Sequence, residues 1–279
     1  MSSAHPWDDE RVFNKITLSL KKRYEAILCA VAENDFVFDQ IRVYGLKKLS
    51  RKKRYKNYPR IIDIIKKENP DVIHFHDPDL IILGIFLKLF LKKKIIYDVH
   101  EDYPLAFKNR HYLPKPMINI FSSVFNIFEK TFSKMFDGLT IVTDDIYKKF
   151  SHKNKIVIKN YPKIQEYIMN DRNYNIDSTM NIVYIGSVSY ERGISNVISA
   201  LGELKDYDIR LDIYGPFEDE SFFNEIKEHE CDKIKIWGRV PSVEIPKILC
   251  RSHIGIVTLL PYERYKTSLP LKLFEYMAA

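Results

Sequence analysis

Short runs rich in β-branched residues alternate along this chain with longer amphipathic stretches, and each kind has its own period. AILCAV (26–31), IRVYGL (41–46), VIHFH (72–76), KIIYDVH (94–100), LTIVT (139–143) and KIVIKN (155–160) read as strands. Helical spacing runs through RVFNKITLSLKK (11–22), YPRIIDIIKKE (58–68), 79–91, 116–135 and 144–150. From residue 180 the alternation restarts: MNIVYIGS, ISNVISALGEL, RLDIYG, FFNEIKEH, KIKIWG, VEIPKILC, HIGIVTLL and a last helical run. Alternation of this kind predicts an α/β fold with a parallel sheet covered on both faces, and the restart predicts two such units. The polar stretch NYPKIQEYIMNDRNYNIDST, 160–179, has no period and reads as the linker, giving expected domains 1–162 and 163–279.

Composition narrows the picture. A chain of 279 residues, 46% hydrophobic, suits two domains with sizeable cores. The net charge of +7 favours anionic partners: nucleic acid, acidic lipid or phosphorylated small molecules. Cys29, Cys231 and Cys250 are far apart and lack CxxC spacing, which predicts a reducing compartment with no disulfide framework and no zinc ribbon. MSSAHPWDDERVF has no apolar core and is not a signal peptide. LIILGIFLKLFL (80–91) falls short of the roughly 20 residues a spanning helix needs. The chain ends in LPLKLFEYMAA, a helix without a stop signal, and only Met1–Ala4 precede the HPWDDERVF loop where a strand belongs. Both ends therefore read as truncated.

Ligands of doubly wound sheets bind outside the carboxyl ends of strands, so residues just after strands are the informative ones. Asp8 and Asp9 are expected to cap the helix after HPWDDERVF. In HFHDPDL, His74 and His76 share a strand face. They read either as metal ligands with Asp77 or His100, or as part of a turn that Asp77-Pro78 starts and Asp79 caps; the turn is the expected outcome, with no metal. In YDVHEDYP, His100, Glu101 and Asp102 form a polar strand tip suited to hydrogen-bonding substrate hydroxyls. Residues 115–136 show a helical stripe at 117, 121, 124, 128, 132 and 135, read as core-facing, with a membrane-surface helix as the other reading. LKKLSRKKRYKNYPR (46–60) is the densest basic run; a solvated loop is the default, and anionic lipid or nucleic acid the alternatives.

In VYIGSVSYERGISNV, Gly186 allows close backbone approach and Arg192-Gly193 introduce a helix whose amides, with Arg192, suit a diphosphate. Gly238-Arg239-Val240 end another strand and suit a planar base. Ser268 and Leu269 offer amides at a helix start, and Glu275 a carboxylate for ribose hydroxyls.

In this order the motifs HPWDDERVF, HFHDPDL, YDVHEDYP, NYP, YIGSVSYERG, GRVP and SLPLKLFEYMAA resemble those of the retaining glycosyltransferases of family 4, over nearly the whole chain. The resemblance implies a GT-B fold: two Rossmann-like domains facing across a cleft, with the C-terminal one incomplete here. It implies an enzyme that transfers sugar with retention from a nucleotide-diphosphate sugar to a surface-polysaccharide or lipid-linked acceptor, and the basic charge without a spanning helix suits a cytoplasmic location, peripheral on the inner face of an acidic membrane. Neither a cofactor nor a metal is implied, and no nucleic acid. His100 matches the histidine near the reacting carbon, Arg192 the cation on the diphosphate, and Glu275 the ribose-binding glutamate. Ser187 stands where an arginine is common, and Thr267 where a sugar-binding glutamate is. The alternatives are an inactive fragment of such an enzyme and a metal-dependent hydrolase using His74 and His76.

Overall fold

The structure is a computed structural model. It describes residues 1–108, 115–168, 179–262, 265 and 270–279. The chain divides into two compact units, Met1–Asn160 and Tyr161–Ala279.

The first unit holds two sheets. Strands β1 (Ile27–Val31), β2 (Phe36–Phe38) and β3 (Ile41–Leu46) lie in the order β1-β3-β2, with β2 antiparallel to β3. Strands β4 (Val72–Phe75), β5 (Lys94–Val99), β6 (Gly138–Ile141) and β7 (Lys155–Val157) are parallel and in sequence order. The strand expected before HPWDDERVF is represented by Met1–Ser3, which joins the sheets. Ser2 N donates to Cys29 O at 2.8 Å on β1. On the β4 side His76 N donates to Met1 O at 3.2 Å, and the Met1 amine donates to His74 O. Asp77 holds this segment down, accepting from Ser2 Oγ at 2.7 Å and Ser3 N at 2.6 Å. Burial opposes ionisation of Asp77, yet the His5 hydrogen bond and charge outweigh it and hold the carboxyl low.

Helices cover the second sheet: α2 (Tyr58–Glu68), α3 (Ile81–Phe90), α4 (Tyr103–Lys108), α5 (Lys115–Ser133) and α6 (Asp144–Lys149). Ahead of β1, a π-helical Glu10–Thr17 runs into α1 (Leu18–Lys21). Asp9 caps it as expected, accepting from the amides of Arg11 and Val12, both at 2.9 Å. Asp79 does not cap α3. It accepts from Ser3 Oγ at 2.5 Å and pairs with Arg54 at 3.3 Å, because the Met1–Ser3 segment and the basic turn Arg51–Asn57 both reach it.

Helix α5 follows the predicted stripe only in its second half, where Phe128 and Phe132 pack against the core. Met117, Phe121 and Val124 are exposed, whereas Ile118, Ser122, Glu129 and Ser133 are buried. The polar residues face inward because partners wait there. Ser122 Oγ donates to Pro104 O at 2.7 Å, and Glu129 accepts from Tyr97 Oη at 2.6 Å. A helix apolar all round gives no unique inward stripe.

The unit's central polar feature is Asp98 on β5, fully buried. Its Oδ1 accepts from Arg11 Nη2 and Thr140 Oγ1, both at 2.7 Å. Its Oδ2 accepts from Arg11 Nε at 2.8 Å and His76 Nδ1 at 2.9 Å. Burial would raise this carboxyl, but hydrogen bonds from Arg11 and His76 hold it well below the usual range.

The second unit is one parallel sheet, β10-β9-β8-β11, from β8 (Met180–Ile185), β9 (Ile209–Tyr214), β10 (Ile234–Gly238) and β11 (Ile254–Gly255). Helices α7 (Ile194–Glu203), α8 (Glu220–Lys227), α9 (Ile245–Cys250) and α10 (Leu271–Ala278) alternate with the strands. Ile182, Ile194, Leu211, Ile213 and Ile226 centre its core. The expected linker is partly packed: a turn at Ile164–Tyr167 buries Tyr167, whose carbonyl accepts from Cys250 Sγ at 3.4 Å.

Two stability outcomes follow from the buried charges. Asp98→Asn leaves Arg11 without a countercharge and is expected to cost about 3–5 kcal/mol in urea unfolding. Burial raises the Glu129 carboxyl from 4.5 to about 7. A raised folded pKa means stability present below the unfolded value and lost as pH rises through the folded one. Wild type is therefore expected to lose about 2–3 kcal/mol relative to Glu129→Gln between pH of about 4.5 and about 8, read by unfolding at both pH values.

Candidate functional site

In the second unit, three neighbouring strands end in glycines with positive φ. These are Gly186 after β8 (+152°), Gly215 after β9 (+140°) and Gly238 closing β10 (+70°). Gly186 N donates to Tyr214 O at 2.9 Å, and Gly215 N to Gly238 O at 2.7 Å. A Cβ on Gly215 would lie 1.8 Å from Gly186 O, so only glycine permits this contact. The result is a shelf of bare backbone at the carboxyl edge of the sheet, about 10 Å across at ordinary strand spacing. Arg239, exposed, and Val240, half-buried, follow at its far end.

Arg192 closes a single 3-10 turn, Tyr190–Arg192, and Gly193, φ +70°, caps α7. Thr258 Oγ1 donates to Arg192 O at 2.9 Å and fixes the turn. The guanidinium lies 5.5 Å from the Tyr265 ring centroid. Among the described residues, Arg192 Nε and Ser195 Oγ are buried donors with no hydrogen-bond partner. Unpaired donors at a helix start await an acceptor.

Helix α10 reaches the same shelf. Its Tyr276 Oη accepts from Ile185 N at 2.9 Å, and its ring lies where a Cβ on Gly255 would be, 2.4 Å away. That docking brings Lys272 to Gly186: the lysine Cε is 3.8 Å from where a Gly186 Cβ would stand. Lys272 Nζ also donates to Glu275 Oε2 at 2.8 Å, and Glu275 is only 4% exposed. Tyr184, pushed up to about 12 by burial, has its hydroxyl 3.6 Å from that same Cβ position and feels the Arg192 charge. Gly186, Arg192, Lys272 and Glu275 thus gather at the end of β8. Ser187 is committed elsewhere: its Oγ donates to Glu218 at 2.5 Å and its carbonyl accepts from Tyr184 Oη at 2.7 Å. Ser268, Leu269 and Thr267 lie outside the described residues.

In the first unit, His100 follows β5. Its Nδ1 faces Asp98 O at 3.4 Å, its Nε2 faces Tyr103 Oη at 3.1 Å, and its ring meets that of His5 edge-on at 5.3 Å. A cavity of about 230 Å³ opens here, lined by His5, Asp9, Glu10, His100, Glu101 and Asn160, among others. Carboxylates, an amide and two imidazoles make a wall suited to hydroxyl groups. Asp102 is not in it; its carboxylate caps the α4 amide of Leu105 at 3.2 Å and pairs with Lys149.

His74, His76 and Asp98 bring ligand atoms within 4.8 Å of one another. They do not fit a metal. Arg11 occupies both Asp98 oxygens, so a cation there would meet a guanidinium at contact distance. Burial keeps His74 and His76 neutral, and His76 spends its Nδ1–H on Asp98. Among the described residues the hydrolase reading loses its ligands to a hydrogen-bond network.

Sequence reasoning singled out Gly186, Arg192, Gly238 and Glu275. It missed Lys272, Gly215 and Ser195. The glycine closing RLDIYG was the available signal for Gly215. Lys272 is visible only once α10 is docked.

A family model described as Glycosyltransferase Family 4 matches residues 10–158, and one described as Glycosyl transferases group 1 matches residues 179–279. Among solved structures, the Anabaena protein HepE in complex with UDP and glucose aligns with TM-score 0.67 at 12% identity, covering 94% of this chain and 73% of that one. Sucrose-phosphate synthase from Thermosynechococcus elongatus aligns with TM-score 0.65 at 12% identity, over 86% and 67%. A glycosyltransferase from Rickettsia africae gives 0.63 at 16%, over 93% and 71%. At these identities the likeness speaks for the fold. No curated protein matches the chain in sequence. With one model matched over more than half of its residues and a second over the remaining unit, the chain belongs to glycosyltransferase family 4 and is a glycosyltransferase of the GT-B fold.

Proposed function

We propose that the enzyme takes a sugar from a nucleoside-diphosphate sugar and transfers it, with retention at the anomeric carbon, to a lipid-linked or surface-polysaccharide acceptor. The observation that carries the reading is the shelf at β8. Lys272 and the Tyr184 hydroxyl lie against bare backbone at Gly186, Arg192 is close enough for its charge to act on Tyr184, and Arg192 Nε and Ser195 Oγ are unpaired donors at the start of α7. A diphosphate matches that chemistry: it needs cations, N–H donors and close backbone approach. Glu275 would accept from ribose hydroxyls, and the Gly238–Val240 backbone would receive the base. Ser268 and Leu269 would add amides to the phosphates. The HepE structure holds UDP and glucose, which supports this class of donor.

In the reaction the bond from the anomeric carbon to the phosphate oxygen breaks, and the acceptor hydroxyl oxygen bonds that carbon from the same face. The hydroxyl proton passes to the departing phosphate oxygen. Charge grows on the diphosphate, so cations fixed beforehand lower the barrier. His100 would orient the sugar, exchanging its Tyr103 contact for a sugar hydroxyl. The donor is the only small molecule this scheme needs, with no cofactor and no metal. The +7 charge favours a cytoplasmic enzyme resting on an acidic membrane surface, where a lipid-linked acceptor is found.

The test is a nucleotide panel. UDP, GDP and ADP are titrated against the parent nucleosides by calorimetry, and donor turnover is followed with acceptor extracts. Arg192→Ala is expected to cost about 3–4 kcal/mol, roughly 10²–10³-fold, in both diphosphate binding and transfer. Lys272→Met should weaken the diphosphate by roughly tenfold or more while leaving nucleoside binding within about threefold. A near-normal rate in Arg192→Ala would overturn the site.

A further inference from the structure

The outward face of α5 is as apolar as its inward one. Met117, Ile120, Phe121, Val124 and Ile127 are exposed there, Ile120 by 63% and Ile127 by 66%. No charged side chain occurs from Pro116 through Phe128. Helix α3 packs beside α5 and exposes Ile82, Phe86, Leu89 and Phe90, the two phenylalanine rings stacked at 5.0 Å. Two adjacent helices with nine large apolar side chains in solvent exceed what a soluble surface ordinarily shows.

The borders of this face are basic. Beyond the end of α3 come Lys92 and Lys94, both exposed, and Lys134 is exposed just past α5. At the other end of α3, the turn Arg51–Asn57 packs against the Pro78–Leu80 turn that leads into the helix, exposing Lys52, Lys53 and Lys56. Asp137, at the same end as Lys92, is already paired with Lys88 at 2.8 Å. Among the described residues no helix is long and apolar enough to cross a membrane.

We propose that the α3–α5 face is a docking surface for an anionic lipid bilayer. The apolar side chains enter the boundary between headgroups and acyl chains, and the flanking lysines meet lipid phosphates. Charge decides the occupant: a second copy of the chain would press one lysine border against another, whereas an anionic headgroup layer complements both. This rests on the lipid-surface reading above and gives it a location.

The experiment is flotation of the full chain with phosphatidylcholine vesicles, with and without phosphatidylglycerol. Wild type is expected on the anionic vesicles and more weakly on the neutral ones. Ile120→Ser/Phe121→Ser/Ile127→Ser, all exposed, should keep the wild-type thermal transition and UDP affinity and lose at least about tenfold in vesicle partitioning. Lys52→Gln/Lys53→Gln should lower anionic binding alone, by about fivefold per lysine. Equal flotation of wild type and the triple serine variant would overturn the surface and leave the lipid reading standing. Wild type failing to float on either vesicle would overturn both. A wild-type dimer in sedimentation velocity that the serine variant turns into monomer would overturn the proposal in favour of a self-interface.

Discussion

Asp98 carries its negative charge out of contact with bulk solvent, and the first unit is arranged around keeping it there. A buried carboxylate is tolerable only if cation and hydrogen bonds together replace its hydration. Arg11 supplies two bonds and the charge, and His76 and Thr140 supply one each. Those donors come from the first helix, β4 and β6, so the ion pair fixes three elements against β5 at once. His100 stands two residues further along the same chain. Its carbonyl-facing nitrogen is set by Asp98 O, and its ring leans on His5, which Asp77 in turn holds. The placement of His100 is therefore tied to the strand residue that carries this charge. The histidine pair beside it serves the same network: His76 Nδ1 bonds the carboxylate, and His74 Nε2 lies 3.1 Å from Thr140 Oγ1.

The alternation of strand and helix was legible because parallel strands buried on both faces read as unbroken β-branched runs. β2 was not. FVF is three residues long, and Val37 and Phe38 are exposed, so it has no burial pattern to read. It exists because Asp39 and Gln40, both at positive φ, fold it back on β3, and Asp-Gln is a weak turn signal beside Asn-Gly. In α5 the periodicity was real but ambiguous. Apolar residues on both faces left the choice to Ser122 and Glu129, whose partners Pro104 and Tyr97 are distant in sequence. Gly186, Arg192 and Gly193 form a local cluster, and local clusters can be read. Lys272 and Asp98 owe their places to contacts across the fold. A lone aspartate inside KIIYDV says nothing of Arg11, 87 residues earlier.

Lys272 also bears on how the donor is read as a whole. In the structure it is shared: Nζ bonds the buried Glu275 carboxylate while the stem lies against Gly186. On the reading proposed above, this group stands between the carboxylate for ribose and the backbone for phosphate, and it would couple the two. A phosphate at Gly186 would draw the ammonium toward it and leave the carboxylate's lone pairs to the ribose hydroxyls. When phosphate is absent, the same lysine neutralises a carboxylate that would otherwise be buried and alone, a costly state. Arg192 lacks such a counterion at its Nε and is poised by the Thr258 bond and the Tyr265 ring. On that reading Lys272 has a partner in both states, Glu275 without phosphate and the phosphate with it.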